Sequence, residues 1–306
     1  MANNELVLAL SNMSFLSARE REILFEKLDN IEALTVLSIE DISLIVRRSV
    51  KTGLWRADTV RVRVEEQLRM LERYRIGMVS VFSSDYPPLL RELHDPPFAV
   101  FWRGALPDPE RPMVAMVGTR SPTGNGAIAS ERLGREFAEL GVPVVSGLAR
   151  GVDAFAHRGN LDGGAPSVAV LACGLERIYP KCNSLLAGRM IDSGGCVIGE
   201  YPPGDEPLPF RFPQRNRIIS GLSRSVVVVE APARSGALIT ADFALEQGRD
   251  LYVVEATAGS ARGGGTDRLR EDGALSIRNA CEVVSDWRIE APWRRNRAYA
   301  QADLGL

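Results

Sequence analysis

Hydrophobic residues in the first quarter of the chain recur at helical spacing. Ser17 and Glu20 stand in the S-x-x-E order of a capping box, with Ile23, Leu24 and Leu28 following on one face. A second helix is predicted from Ser38 through Ile42, Ile45 and Val46. A longer one is predicted over 58–75, where Val60, Val64, Leu68 and Leu71 share a stripe. No segment of 1–75 alternates with the period of a strand, so a small all-α domain is expected there.

The pattern then breaks. Over 76–110, Pro87, Pro88, Pro96 and Pro97 interrupt helix and sheet alike, which predicts an ordered connector with a short strand or two. From Met113 the period changes again: MVAMVG, VPVVSG, SVAVLACG, CVIGE, SVVVVEA and DLYVVEA alternate with helical stretches. Runs that are apolar on both faces belong to a parallel sheet covered on both sides. Right-handed crossovers between them give a doubly wound α/β domain over 111–287. Residues 288–306 are too few for a further domain and are expected to be a tail.

Composition narrows the classes. The chain has 306 residues, is 45% hydrophobic and carries a formal charge of −2, so attraction to an acidic partner must come from local patches. Residues 47–75 hold nine Arg or Lys against four Asp or Glu; this is either a solvated helix face or a secondary nucleic-acid contact. Cys173, Cys182, Cys196 and Cys281 lack metal-ligand spacing and are expected to be reduced thiols, with no metal and no cofactor. The first residues lack the basic-then-apolar order of a secretory signal, and no apolar run approaches the roughly 20 residues a bilayer requires. The chain is therefore expected to be cytoplasmic, with no membrane partner.

Ligands of doubly wound sheets sit at the carboxyl ends of the strands. The first strand exits into Gly118-Thr119-Arg120-Ser121, ahead of a helix. The second exits into Ser146-Gly147-Leu148-Ala149-Arg150-Gly151, again ahead of a helix. Glycines let backbone N–H groups close on an anion and the helix start favours negative charge, although many α/β folds need such turns whatever they bind. From Pro207 to Val229 there are four arginines and no acid, including Arg215 and Arg217 around Asn216, with Phe210 and Phe212 interleaved. Guanidinium groups that clamp phosphates beside rings that stack on bases suit a single strand. Ser235 and Gly236 open a further helix. Glu230, at the end of its strand, is expected to pair with Arg215 or Arg217. His157 is read as a packing or capping histidine, because no nucleophile shares a motif with it. No catalytic residue is expected.

Taken in order, several strings resemble the DNA-processing protein A (DprA/Smf) family. They are Val117-Gly118-Thr119-Arg120, Ser146 through Asp153, Ala156-His157, Tyr179-Pro180, Glu200-Tyr201-Pro202, Phe212 through Ile219 and Ser235 through Thr240. The resemblance spans about 85–287, and the N-terminal helices look like the family's small, SAM-like domain. It implies an extended Rossmann-like fold that binds single-stranded DNA without sequence preference. It further implies a homodimer that loads a RecA-type recombinase during natural transformation. The family's DNA pocket maps onto Arg120, the Ser146–Arg150 turn, Phe212, Arg215, Asn216, Arg217 and the Ser235–Gly236 turn.

Two segments depart from the family pattern. Val254-Glu255-Ala256 stands where V-P-G is usual, and Gly263-Gly264-Gly265-Thr266-Asp267-Arg268 replaces a Gly-x-Asn followed by Leu-Ile. The rival reading is an enzyme of a related fold that binds nucleotides or cleaves their N-glycosidic bond. Its P-G-G-x-G-T-x-x-E motif is approached by Gly263–Glu271, but Glu271 lies five residues past Thr266 rather than three.

Overall fold

Local signals account for most of the helix starts. The computed structural model describes residues 4–53 and 55–287, in which α1 spans Asn4–Ser11, α2 Ala18–Lys27, α3 Ile31–Thr35, α4 Ile39–Val46 and α5 Ala57–Tyr74. Ser17 and Glu20 close the expected capping box on α2, and Ser38 forms another on α4 with Asp41 as its partner. The predicted stripe of α5 is buried at Val64, but Gln67 is buried beside it. It exchanges hydrogen bonds with Asn12 (2.7 and 2.9 Å) and donates to Pro203 O (3.0 Å). A polar residue on an apolar stripe is invisible to periodicity when its partners are remote in sequence.

These helices belong to the first of two compact units, comprising Met1–Arg103, Ala172–Arg177 and Ile198–Leu208. It takes in most of the proline-rich stretch as well. There β1 (Gly77–Ser80) pairs antiparallel with β2 (Ala99–Gly104), and α6 (Pro88–Arg91) lies between them in sequence. Tyr86 is fully buried and donates its hydroxyl to Pro97 O at 2.7 Å.

The second unit alternates strand and helix: β3 (Val114–Val117), α7 (Gly124–Glu139), β4 (Val144–Ser146), α8 (Val152–Asp162), β5 (Val168–Val170), α9 (Ser184–Asp192) and β6 (Cys196–Gly199). It continues with α10 (Arg211–Gly221), β7 (Ser225–Val228), α11 (Gly236–Glu246), β8 (Asp250–Val254), α12 (Gly264–Glu271), β9 (Leu275–Ile277) and α13 (Ala280–Asp286). The strands run side by side as β6-β5-β4-β3-β7-β8-β9. The pairings β5–β4, β4–β3, β3–β7, β7–β8 and β8–β9 are all parallel. The doubly wound expectation therefore holds, and the strand order reverses at β3. Carboxyl ends diverge at that reversal and open a crevice.

Core packing follows from the all-apolar strands. Val114, Met116, Val144, Val227 and Tyr252 from the sheet meet Leu133 and Phe137 of α7, Val152 and Ala156 of α8 and Val283 of α13. Helices α7 and α8 cross with their backbones nearly touching: a Cβ on Gly134 would lie 2.4 Å from Ala156 O. Buried Asn160 fastens the crossing, donating to Gly134 O and Val142 O and accepting from Val144 N, each at 3.1 Å.

His157 of α8 is fully buried, in keeping with a packing role. Ser167 gives its hydroxyl proton to Val144 O (3.1 Å), so the imidazole Nδ1 carries the ring proton and donates to Ser167 Oγ (2.7 Å). Nε2 is then a bare acceptor, buried with no hydrogen-bond partner among the described residues. Burial, and secondarily the charge of Arg215, push its pKa from 6.5 down to about 3. The folded chain thus keeps this ring neutral where the unfolded chain would protonate it. The resulting stability is complete above pH 6.5 and is lost as pH falls from there toward about 3. A His157→Gln variant is expected to show a shallower loss of urea stability than the parent between pH of about 6.5 and 4.5. Equal pH slopes for the two proteins would contradict this assignment.

Candidate nucleic-acid interface

Each predicted phosphate cradle at the strand ends contains a carboxylate of the protein itself. After β3, Gly118 is needed for close approach, since a Cβ there would lie 2.6 Å from Val152 Cγ2 and 2.8 Å from Glu230 O. Thr119 is buried and donates its N–H to Glu230 O at 2.7 Å, leaving Arg120 and Ser121 exposed. Thr123 caps α7 and donates to Glu230 from both its N–H (2.7 Å) and its hydroxyl (2.8 Å), and Ser260 Oγ donates to the same carboxylate at 2.6 Å. The expectation that Glu230 pairs with Arg215 or Arg217 is therefore corrected. Its oxygens face the start of α7, where uncommitted N–H groups and the helix dipole favour an anion.

The turn after β4 repeats this logic. Asp153 accepts from Gly147 N (3.1 Å) and Ala149 N (3.2 Å), and Asn183 Nδ2 donates to Leu148 O (2.8 Å) and Ala149 O (3.2 Å). Arg215 reaches in from α10 and donates to Gly147 O (3.1 Å) and to Val170 O. Burial raises the pKa of Asp153, opposed by the nearby Arg215 charge. Ser146 is buried and donates to Met116 O at 2.6 Å. Gly151 has φ +76°, and a Cβ there would lie 2.4 Å from Thr119 O, so only glycine fits. Ser146, Gly147 and Arg215 thus lie buried on the inner side of this turn. Arg150 is the charge it presents to solvent.

The arginine-rich stretch forms α10 and divides into inner and outer faces. Asn216 donates to Gly236 O (3.1 Å) and so ties α10 to the start of α11, which Ser235 caps by accepting from Ala237 N (3.2 Å). Gly236 is exposed, and Arg217 is half-buried with Nη1 donating to Gln214 O at 3.3 Å. Outward, the Arg120 guanidinium lies 5.9 Å from the centroid of the half-buried Phe212 ring. The Tyr179 ring meets the same phenylalanine at 5.5 Å between centroids, tilted by 52°. Tyr179 is 45% exposed. Sequence reasoning quoted this tyrosine but did not place it in the site, because only folding brings residues 179, 120 and 212 together.

Other expectations resolve here too. In the basic 47–75 region, Arg48 pairs with Glu20, Arg61 with Glu32, Arg63 with Asp205 and Arg69 with Glu65, at 2.6 to 3.5 Å. These four arginines thus have acidic partners on the surface. The four cysteines are free thiols. The atypical 254–268 segment is docked onto the strand ends. Thr257 Oγ1 donates to Val229 O (2.5 Å), Gly265 N to Ala231 O (2.7 Å) and Arg262 Nη1 to Ser121 O (2.7 Å). Glu271 is exposed at the last residue of α12.

Comparison with known proteins agrees with this geometry. Residues 77–288 match the family model described as DNA recombination-mediator protein A. The chain is similar to Protein Smf of Escherichia coli (strain K12), 38% identical over 253 residues, which cover 79% of this chain and 67% of that protein. The X-ray structure of DNA processing protein A from Streptococcus pneumoniae superposes with a TM-score of 0.73 at 30% identity, covering 92% of this chain and 97% of that one. A structure of the Helicobacter pylori protein, described for its single-stranded DNA binding mode, gives a TM-score of 0.62 at 28% identity and covers 70% of this chain and 96% of that one. The chain belongs to the DNA recombination-mediator protein A family.

Proposed function

We propose that this chain binds single-stranded DNA without sequence preference, performs no chemistry on it, and passes it to a RecA-type recombinase as a homodimer in the cytoplasm. The observation that carries the reading is the cluster at the strand-end edge in which exposed Arg120 and Tyr179 meet half-buried Phe212. Every base has a π-face, so ring stacking tolerates all sequences, while guanidinium groups hold the phosphates between bases. Arg120 and Arg150 supply outward charge, and Ser121, Arg217 and Gly236 complete the rim. Gly118, Thr119, Ser146, Gly147, Asn216 and Ser235 shape it from behind. The single-strand binding described for the Helicobacter pylori relative supports the ligand. The family's description as a recombination mediator supports the recombinase. Among the described residues no helix is long and apolar enough to cross a membrane.

The deciding test is a titration of single-stranded against duplex DNA at stepped salt, run beside a nucleotide-hydrolysis assay. Tight single-strand binding that falls steeply with salt, without turnover, is the expected result; release of a base would favour the glycosidic rival. Flat affinity between low and physiological salt would eliminate phosphate clamping. Arg120→Ala should weaken binding to all sequences alike and reduce the salt slope by about 0.7, the share of one phosphate contact on a single strand. Phe212→Ala should cost about 1–3 kcal/mol of affinity, the range for one lost base stack, and leave that slope unchanged.

A further inference from the structure

Arg215 reads in the sequence as one more cation for the phosphate backbone. Folding places it beneath the strand-end turn, where only 5% of it is exposed. Its guanidinium donates to Gly147 O and Val170 O, carbonyls at the ends of the adjacent parallel strands β4 and β5. A Cβ on Gly147 would stand 2.5 Å from Nη2 and 2.9 Å from Cζ, so the turn's backbone rests directly against the guanidinium group. From the same side Asp153 takes the N–H groups of Gly147 and Ala149, and Asn183 donates to the carbonyls of Leu148 and Ala149. Three buried side chains thus fix the backbone polar groups of this turn, and its outward product is the exposed Arg150.

A phosphate could reach Arg215 only by displacing carbonyls that the planar fork already satisfies. A buried guanidinium that already holds two carbonyls gains little from leaving them for a hydrated anion. We propose that Arg215 is a positioning residue, which holds the Gly147–Gly151 turn in the shape that presents Arg150 to the DNA strand and makes no phosphate contact itself. This rests on the single-strand reading above and assigns a role within it.

Counterion release in the Arg150→Ala background separates contact from positioning, because a phosphate held by Arg215 itself would still be lost there, whereas one held through Arg150 is already gone. The probe is a fluorescein-labelled oligothymidylate titrated with the full chain at stepped salt. Arg215→Gln is expected to lose about tenfold in affinity, the scale of hydrogen bonds made by a charged group, with a slope that falls by no more than the share Arg150 contributes. Arg150→Ala is expected to lower that slope by about 0.7. In the Arg150→Ala background, Arg215→Gln should cost only a small fraction of its original effect, because the side chain through which it acts is gone. A general loss of structure would instead weaken binding by the same factor in both backgrounds.

A further slope reduction of about 0.7 when Arg215→Gln is added to Arg150→Ala overturns the proposal, as does a fully additive double variant. If circular dichroism shows Arg215→Gln to be unfolded, Gly147→Ala, which presses on the guanidinium from the turn side, takes its place in the same cycle. Wild-type affinity in Gly147→Ala would then overturn the proposal. Failure of the unaltered chain to bind in a salt-dependent way defeats the single-strand reading itself, and is distinguishable because that chain is titrated in parallel.

Discussion

Backbone N–H groups at the carboxyl edge of a parallel sheet need acceptors, and in this fold two buried carboxylates supply them. Glu230 serves the start of α7 and Asp153 serves the turn after β4. Both occupy positions where a nucleotide-binding relative of this architecture would place a phosphate. With the inner positions filled, the proposed strand contact falls to the side chains that project beyond the edge. The chemistry of the site follows from that division: carboxylates inside, guanidinium groups and rings outside.

The outer layer depends on the inner one. Arg120 follows a turn held by Glu230 O, Arg150 follows a turn held by Asp153, Asn183 and Arg215, and Phe212 stands at the start of the helix that supplies Arg215. The segment that departs from the family pattern joins this scaffold. Ser260 and Arg262 brace Glu230 and Ser121 from the far side of the strand reversal. Its unusual composition therefore leaves the strand ends supported.

Much of this was legible in the sequence. Strand runs apolar on both faces, with glycine at their ends, predicted the doubly wound sheet, and the S-x-x-E box placed α2 correctly. The turns that build the site were located as well. Which side of each turn a residue occupies was not legible, because a buried arginine and an exposed one look alike in a string. Arg215 and Arg217 are two residues apart and differ in burial; a helix separates such neighbours by about 200°, and the helical phase of α10 was not assigned from sequence. Glu230 carried the same ambiguity, since arginine and backbone N–H are both good partners for a carboxylate. Tyr179 escaped because contacts between segments remote in sequence leave no spacing to read.

The near-contact of α7 and α8 at Gly134 has a mechanical consequence. Each helix begins directly after one of the arginine-bearing turns, and their backbones meet with no layer of side chains between them. Such a joint has nothing compressible in it, so the two turns are carried by one stiff frame and the separation between the roots of Arg120 and Arg150 is fixed as on a ruler. A strand bound as proposed would adjust its own backbone to that spacing, while the protein would yield through the swing of two long side chains.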